Sequence, residues 1–226
     1  MKNKKQIVLA VETALFPGSV SILEDLWEID FRVGEAEISR SEDLLPIISD
    51  LLQKNRIHPR QIDLIGVSTG PGSFTGVRVG LATAKGLALG IECLCVGVPT
   101  LEVLAVSAEK KGKVRSIISG GRAEVFYQDF YFESADSWRK LSAFQTSELE
   151  SLVGEHNLND LDAIVLDEKA KQKHLSFNDS AEIIFQPLNP AKYVGLIALE
   201  NFKNGVSGEL LPQYAQASEI GKSSKG

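Results

Sequence analysis

Three sets of residues in this 226-residue chain have types or spacings that could do chemistry. The first is the loop Ser68-Thr-Gly-Pro-Gly-Ser-Phe-Thr-Gly76. Glycines on either side of Pro71 permit a tight path from a strand into a helix, and free amides at a helix start can hold an anion. Phosphate binding is the chemistry that would follow. Yet the loop lacks the Gly-Lys-Ser/Thr ending of a Walker loop, and Gly76 falls one residue late for a dinucleotide fingerprint. The second set is three histidines, His58, His156 and His174, with no pair at metal-ligand spacing. His58, before Pro59, and His174, in a polar run, read as surface residues. The third is Cys93 and Cys95, which alternate with Leu94 in an apolar run. On a strand they share a face about 7 Å apart, beyond disulfide reach, and an apolar strand raises a thiol's pKa. They read as reduced, buried cysteines. Glu12 and Thr13 close the first apolar run, where a strand end hydrogen-bonded to the adjoining hairpin is the favoured reading. No nucleophile–base pair and no metal cluster emerges, so no catalytic residue, no metal and no cofactor of its own is expected.

The elements that must position these residues follow from patterning. Hydrophobic residues make up 43% and charged residues 24%, the balance of a soluble globular protein. A net charge of -6, with lysines only in short clusters, argues against unaided grip on a nucleic-acid backbone. Glu12 interrupts the opening apolar run, which reads as a strand rather than a signal peptide. No apolar stretch approaches the ~18 residues that span a bilayer, so a cytoplasmic protein with no membrane contact is expected.

Three strands are predicted first, at 6–11, 19–23 and 26–33. A helix to Asn55 follows, opened by a Ser39/Glu42 capping box or starting near Asp43 because of Pro46. Then come a strand at 62–69, a helix at 75–89, a strand at 92–98 and a helix capped by Thr100. The order βββαβαβα then repeats. Strands at 114–119 and 123–132 flank Gly120-Gly121, and a third runs 138–144. A short helix is capped by Ser147 and Glu150. A strand at 161–166, a weak helix at 168–174 and a strand at 182–185 precede a helix capped by Asn189, with Pro190 first, ending at Asn204-Gly205. The prediction is an α/β chain of two related lobes, residues 1–105 and 106–205, the second degenerate, with an irregular tail at 206–226 that packs back on the body. In the helix at 75–89, Gly76, Gly80, Ala84 and Ala88 recur every four residues, and only Arg78 and Lys85 are charged. A helix apolar nearly all round has more than one face to bury. The ridge faces either the chain's own core or a partner; spacing leaves both open.

The string STGPGSFTGVRVGLATAKGLA, followed by VGVPTLEVLA, resembles the TsaB (YeaZ) family of the actin-like ATPase and sugar-kinase superfamily. Val11-Glu12-Thr13-Ala14 and Leu44-Leu45-Pro46 share the likeness, which covers about residues 7 to 105. Gly70, Pro71, Gly72, Ser73, Phe74, Thr75, Gly76, Arg78 and Gly80 carry the signature. The resemblance implies a non-catalytic scaffold for a TsaD-like catalytic subunit, which transfers threonylcarbamoyl to the adenosine beside the anticodon of tRNA. It further implies a TsaE-like ATPase in the assembly, tRNA met only through the complex, and nucleotide and metal on the partner subunits. A homodimer of the isolated chain stays open. Helices matching 41–55 and 75–89 would form the dimer interface, through Leu44, Leu45, Ile48, Val77, Leu81 and Lys85. The second half departs from the family pattern at Ser119-Gly120-Gly121 and at Pro212-Gln213-Tyr214-Ala215-Gln216, and the family's histidine before the first helix is absent, with Arg40 near that place. The alternative is a divergent small-molecule kinase or ATPase of the superfamily, which would place a carboxylate near Glu12.

Overall fold

The computed structural model describes residues 5–34, 43–121, 124–134, 137–148, 151–152, 160–172, 181–206 and 208–213. The Ser39/Glu42 capping box, Arg40, Glu150, His156, His174 and Tyr214 to Gln216 lie outside them.

The first half runs β1 (Ile7–Glu12), β2 (Ser19–Glu24), β3 (Trp27–Val33), α1 (Leu44–Lys54), β4 (Leu64–Ser68), α2 (Phe74–Ile91), β5 (Leu94–Val98) and α3 (Thr100–Ser107). Its five strands lie in the order β3-β2-β1-β4-β5. β1 is central, antiparallel to β2 and parallel to β4. That position explains its unbroken apolar run. Leu9 and Val11 join the core under α1 and α2, while Val8 and Ala10 join the core on the opposite face.

The second half runs β6 (Gly112–Ser119), β7 (Glu124–Ser134), β8 (Ser137–Lys140), β9 (Gln145–Glu148), β10 (Ala163–Leu166), α4 (Glu168–Gln172), β11 (Glu182–Phe185) and α5 (Ala191–Lys203). The order β11-β10-β6-β7-β8, with β9 also on β7, matches the first sheet strand for strand. The two-lobe α/β architecture predicted from element order is therefore present. Two local expectations are corrected. In place of the predicted third strand, two short strands lie end to end along the long β7, β8 on Phe130–Ser134 and β9 on Glu124–Tyr127. Ser147 pairs with Val125 inside β9, while Glu150 of the predicted capping box lies outside the described residues.

The caps also differ from expectation. Thr100 is the first residue of α3, and its hydroxyl accepts from Gly70 N at 3.1 Å. α5 starts after Pro190, and its Ala191 N donates to Ser19 Oγ at 3.0 Å. Asn189 turns instead to Glu28, 2.6 Å away. Both ties cross long stretches of sequence, which local capping rules cannot see.

The layers exchange between halves. α3 packs Leu101, Leu104 and Ala105 against Val114, Ile118 and Phe130 of the second sheet. α5 lays Val194, Ile197 and Ala198 on Val8, Ala10 and Leu64 of the first. After α5, residues 208–213 return to the body. A Cβ on Gly97 would stand 2.1 Å from Glu209 O, and Gln213 N donates to Thr69 O at 2.7 Å. Only glycine permits that closeness at Gly97.

Candidate functional site

The signature loop spends its polar groups inside the chain. Gly70 N and O pair with Thr100, Ser73 N donates to Ala14 O at 2.8 Å, and Ser73 Oγ caps α2 by accepting from Gly76 N at 3.2 Å. Gly70 sits at φ 94° and Gly72 at φ 150°, and a Cβ on Gly72 would stand 2.4 Å from Ala14 O. Glycine is required at both. Pro71 is buried in the loop, Thr75 is exposed, and the Arg78 guanidinium stacks 3.6 Å over the exposed Phe74 ring.

α2 has two small-residue faces, and the ridge singled out by spacing is the inner one. A Cβ on Gly76 would lie 1.9 Å from Thr13 O, and one on Gly80 would lie 2.2 Å from Thr13 Oγ1. Thr13 Oγ1 donates to Gly76 O at 2.8 Å, so the end of β1 fills this groove. Ala84 and Ala88 continue the ridge into the core. The expected contact residues divide accordingly. Leu44, Ile48, Val77 and Leu81 are 1–6% exposed and belong to the chain's own core, out of a partner's reach. Leu45, at 51%, and Lys85 are exposed. The outer face of α2 carries Thr75, Arg78, Ala82, Lys85, Gly86, Leu89 and Gly90. Added Cβ atoms on Gly86 and Gly90 would meet nothing within 4 Å, and Leu89 is 83% exposed. Sequence reasoning missed this second row, Ala82-Gly86-Gly90, although its spacing of four was there to read.

Between the halves lies a cleft of about 510 Å³, walled by the signature loop, Phe16, Phe126 and residues 118–121. Among the described lining residues Lys169 is the single cation, against Glu124 and Asp167. Asp167, missed from sequence, accepts from Ser119 N at 3.1 Å and caps α4 through Ala170 N at 2.9 Å. An Asp ahead of a polar helix was the signal that could have found it. Beside the cleft, Glu12 lines a separate cavity and is fully buried. Its carboxylate accepts from Ala14 N at 2.7 Å and Leu15 N at 3.1 Å. Burial pushes this carboxyl up to about 7, while the Leu15 and Ala14 amides and the Ser68 hydroxyl pull the other way. The amides of Ala14 and Leu15 are thus taken by the chain's own carboxylate, and among the described lining residues one lysine faces two carboxylates. The donors that the described residues supply do not by themselves fit a polyphosphate.

Among the described residues no group of three or more His, Cys, Asp or Glu could hold a metal. His58 caps the turn Pro59–Gln61 through Nδ1, which accepts from Arg60 N at 3.3 Å. Cys93 and Cys95 are free and only partly buried; β5 begins at Leu94, and burial pushes the Cys95 thiol up to about 12. No described helix is long and apolar enough to cross a membrane.

Comparison with known proteins adds to this geometry. Residues 35–201 match the family described as TsaD, tRNA N6-adenosine threonylcarbamoyltransferase. The tRNA threonylcarbamoyladenosine biosynthesis protein TsaB of Escherichia coli K12 is 31% identical over 134 residues, 58% of each chain. This chain thus spans less than two thirds of that relative's length. A tRNA N6-adenosine threonylcarbamoyltransferase of Nitratidesulfovibrio vulgaris is 34% identical over 86 residues, 36% of this chain and 24% of its own. YeaZ from Pseudomonas aeruginosa superposes with a TM-score of 0.75 and 22% identity, over 92% of this chain and 99% of its own, a likeness of fold.

Proposed function

This chain belongs to the tRNA N6-adenosine threonylcarbamoyltransferase (TsaD) family, on its TsaB (YeaZ) side, and from that premise we propose that it is a non-catalytic subunit in tRNA threonylcarbamoyladenosine formation. It acts by docking onto a TsaD-like catalytic subunit. A TsaE-like ATPase joins that assembly, and nucleotide, metal and tRNA are handled by the partners.

The observation that carries this reading is the outer face of α2. Glycine in a helix interior costs about 0.5–1 kcal/mol relative to alanine. Inside the chain Gly76 and Gly80 answer that cost by admitting Thr13; Gly86 and Gly90 admit nothing. A bare glycine row beside the exposed Leu89, with Leu45 exposed on α1, supports close approach by a second subunit's helices. Lys85 and Arg78 edge that face, so the contact area is Leu45, Phe74, Arg78, Ala82, Lys85, Gly86 and Leu89, rather than the four core residues. The cleft chemistry supports this reading, because Glu12 takes the turn amides and Lys169 is the single cation among the described lining residues.

Reconstitution tests it. Threonylcarbamoyl transfer to tRNA should need this chain together with the TsaD-like and TsaE-like proteins of the same organism, while the chain alone neither modifies tRNA nor hydrolyses ATP. Full activity of the other components without it, or single-turnover activity from it alone, would overturn the reading.

A further inference from the structure

Glu12 has an arrangement that neither the partner reading nor the family likeness uses. It is a fully buried carboxyl whose hydrogen bonds come from backbone amides and one hydroxyl, with no cation bonded to it among the described residues. The turn it holds is a junction of three parts. Thr13 seats in the groove of α2 through Gly76 O. Ala14 O accepts from Ser73 N of the signature loop at 2.8 Å. Phe16 O accepts from Gln186 Nε2, across the cleft in the second half, at 2.7 Å. Movement of residues 13–16 therefore alters α2, the loop and the contact between halves together.

Among the described residues, few charged groups lie near this carboxyl. A cavity of about 100 Å³ beside it is also lined by Arg32 from β3 and Lys169 from α4. β2 contributes Ser19 and Val20, α1 Leu44 and Ile47, and α2 Gly76 and Val79, none of them titratable. β4 offers Ser68.

We propose that Glu12 is a proton-operated latch, its protonation state setting how firmly the 13–16 turn stays closed between α2, the signature loop and the second half. The direction follows from linkage. In the closed turn the carboxyl sits at about 7 because it is desolvated. In an opened, solvated turn it returns to the ordinary range, about 4.3. The closed turn binds the proton more tightly, so closure is strongest below about pH 4 and weakens as pH rises to about 7. Between pH 5 and pH 8 the closed-to-open ratio falls on the order of fiftyfold.

Amide hydrogen exchange on the whole chain, corrected for the intrinsic pH dependence of exchange, reads this ratio at Ala14 and Leu15. Protection should fall on the order of fiftyfold from pH 5 to pH 8 in the native protein, and stay level in Glu12→Gln, which cannot ionise. Carboxyl carbon NMR on the native protein decides the matter even where the variant fails to fold. A resonance titrating near pH 7 supports the latch. An ordinary carboxyl titration, or level protection in the native chain, overturns it.

Discussion

At the scale of single residues, what matters is which side of α2 a small residue faces. Gly80→Leu drives a side chain into Thr13 and should destabilise the chain by about 1–3 kcal/mol or more, read as a shift in denaturant midpoint. Gly86→Leu meets open space and should leave the midpoint unchanged or slightly raised, since leucine is the better helix former. Asp30 gives a pH test. Lys54, 2.6 Å away, and Asn55 hold its carboxyl down at about 2. Its contribution is therefore complete above the ordinary carboxylate pKa near 4 and is lost as pH falls through about 2. Asp30→Asn should cost about 0.5–1 kcal/mol at pH 7, since the half-exposed Lys54 is screened by solvent, and the difference from the native chain should shrink between pH 4 and pH 2. The need for glycine at Gly70 and Gly72, on the tight path from β4 into α2, was legible residue by residue. The two-faced α2 was not. Its apolar residues run almost all the way round, and periodicity names a face without saying what lies opposite.

At the scale of elements, most strands and helices were readable because each carries its own pattern. The first half came out nearly element for element, with boundaries within a few residues. The failures were places where a distant segment supplies the decisive bond. Ser19 caps α5, Thr100 answers Gly70, and β7 is long enough to hold two short strands where one was predicted. The segment 208–213 belongs to this class, because nothing local in it predicts a path across Gly97 and Thr69. Gly97→Val should push that segment away, since the added Cβ would strike Glu209 O, a backbone atom. The expected result is faster proteolysis after Val206 and a loss of about 1–3 kcal/mol in stability. Unchanged cleavage would show that the close approach is dispensable.

At the scale of the whole molecule, the two halves are related in strand order yet are not independent bodies. α3 covers the second sheet and α5 covers the first, so each half leaves a sheet face bare without the other. A fragment ending before Ala191 should lose cooperative unfolding and bind apolar dyes, because Val8, Ala10 and Leu64 would face water. The repeat of element order announced the twin sheets; the exchange of helices was invisible, since layer assignment depends on tertiary packing alone. The exposed face of α2 stands clear of this brace, which makes it the surface where a partner can be gained or lost without unfolding the chain. Calorimetric titration of the TsaD-like subunit with native, Gly86→Leu and Leu89→Asp chains, alongside their melting temperatures, tests that claim most directly. Affinity should fall a hundredfold or more in both variants, about 2.7 kcal/mol, with melting within a few degrees of native. Native-like affinity in both, or loss of binding only alongside a collapsed melting temperature, would contradict docking through this helix.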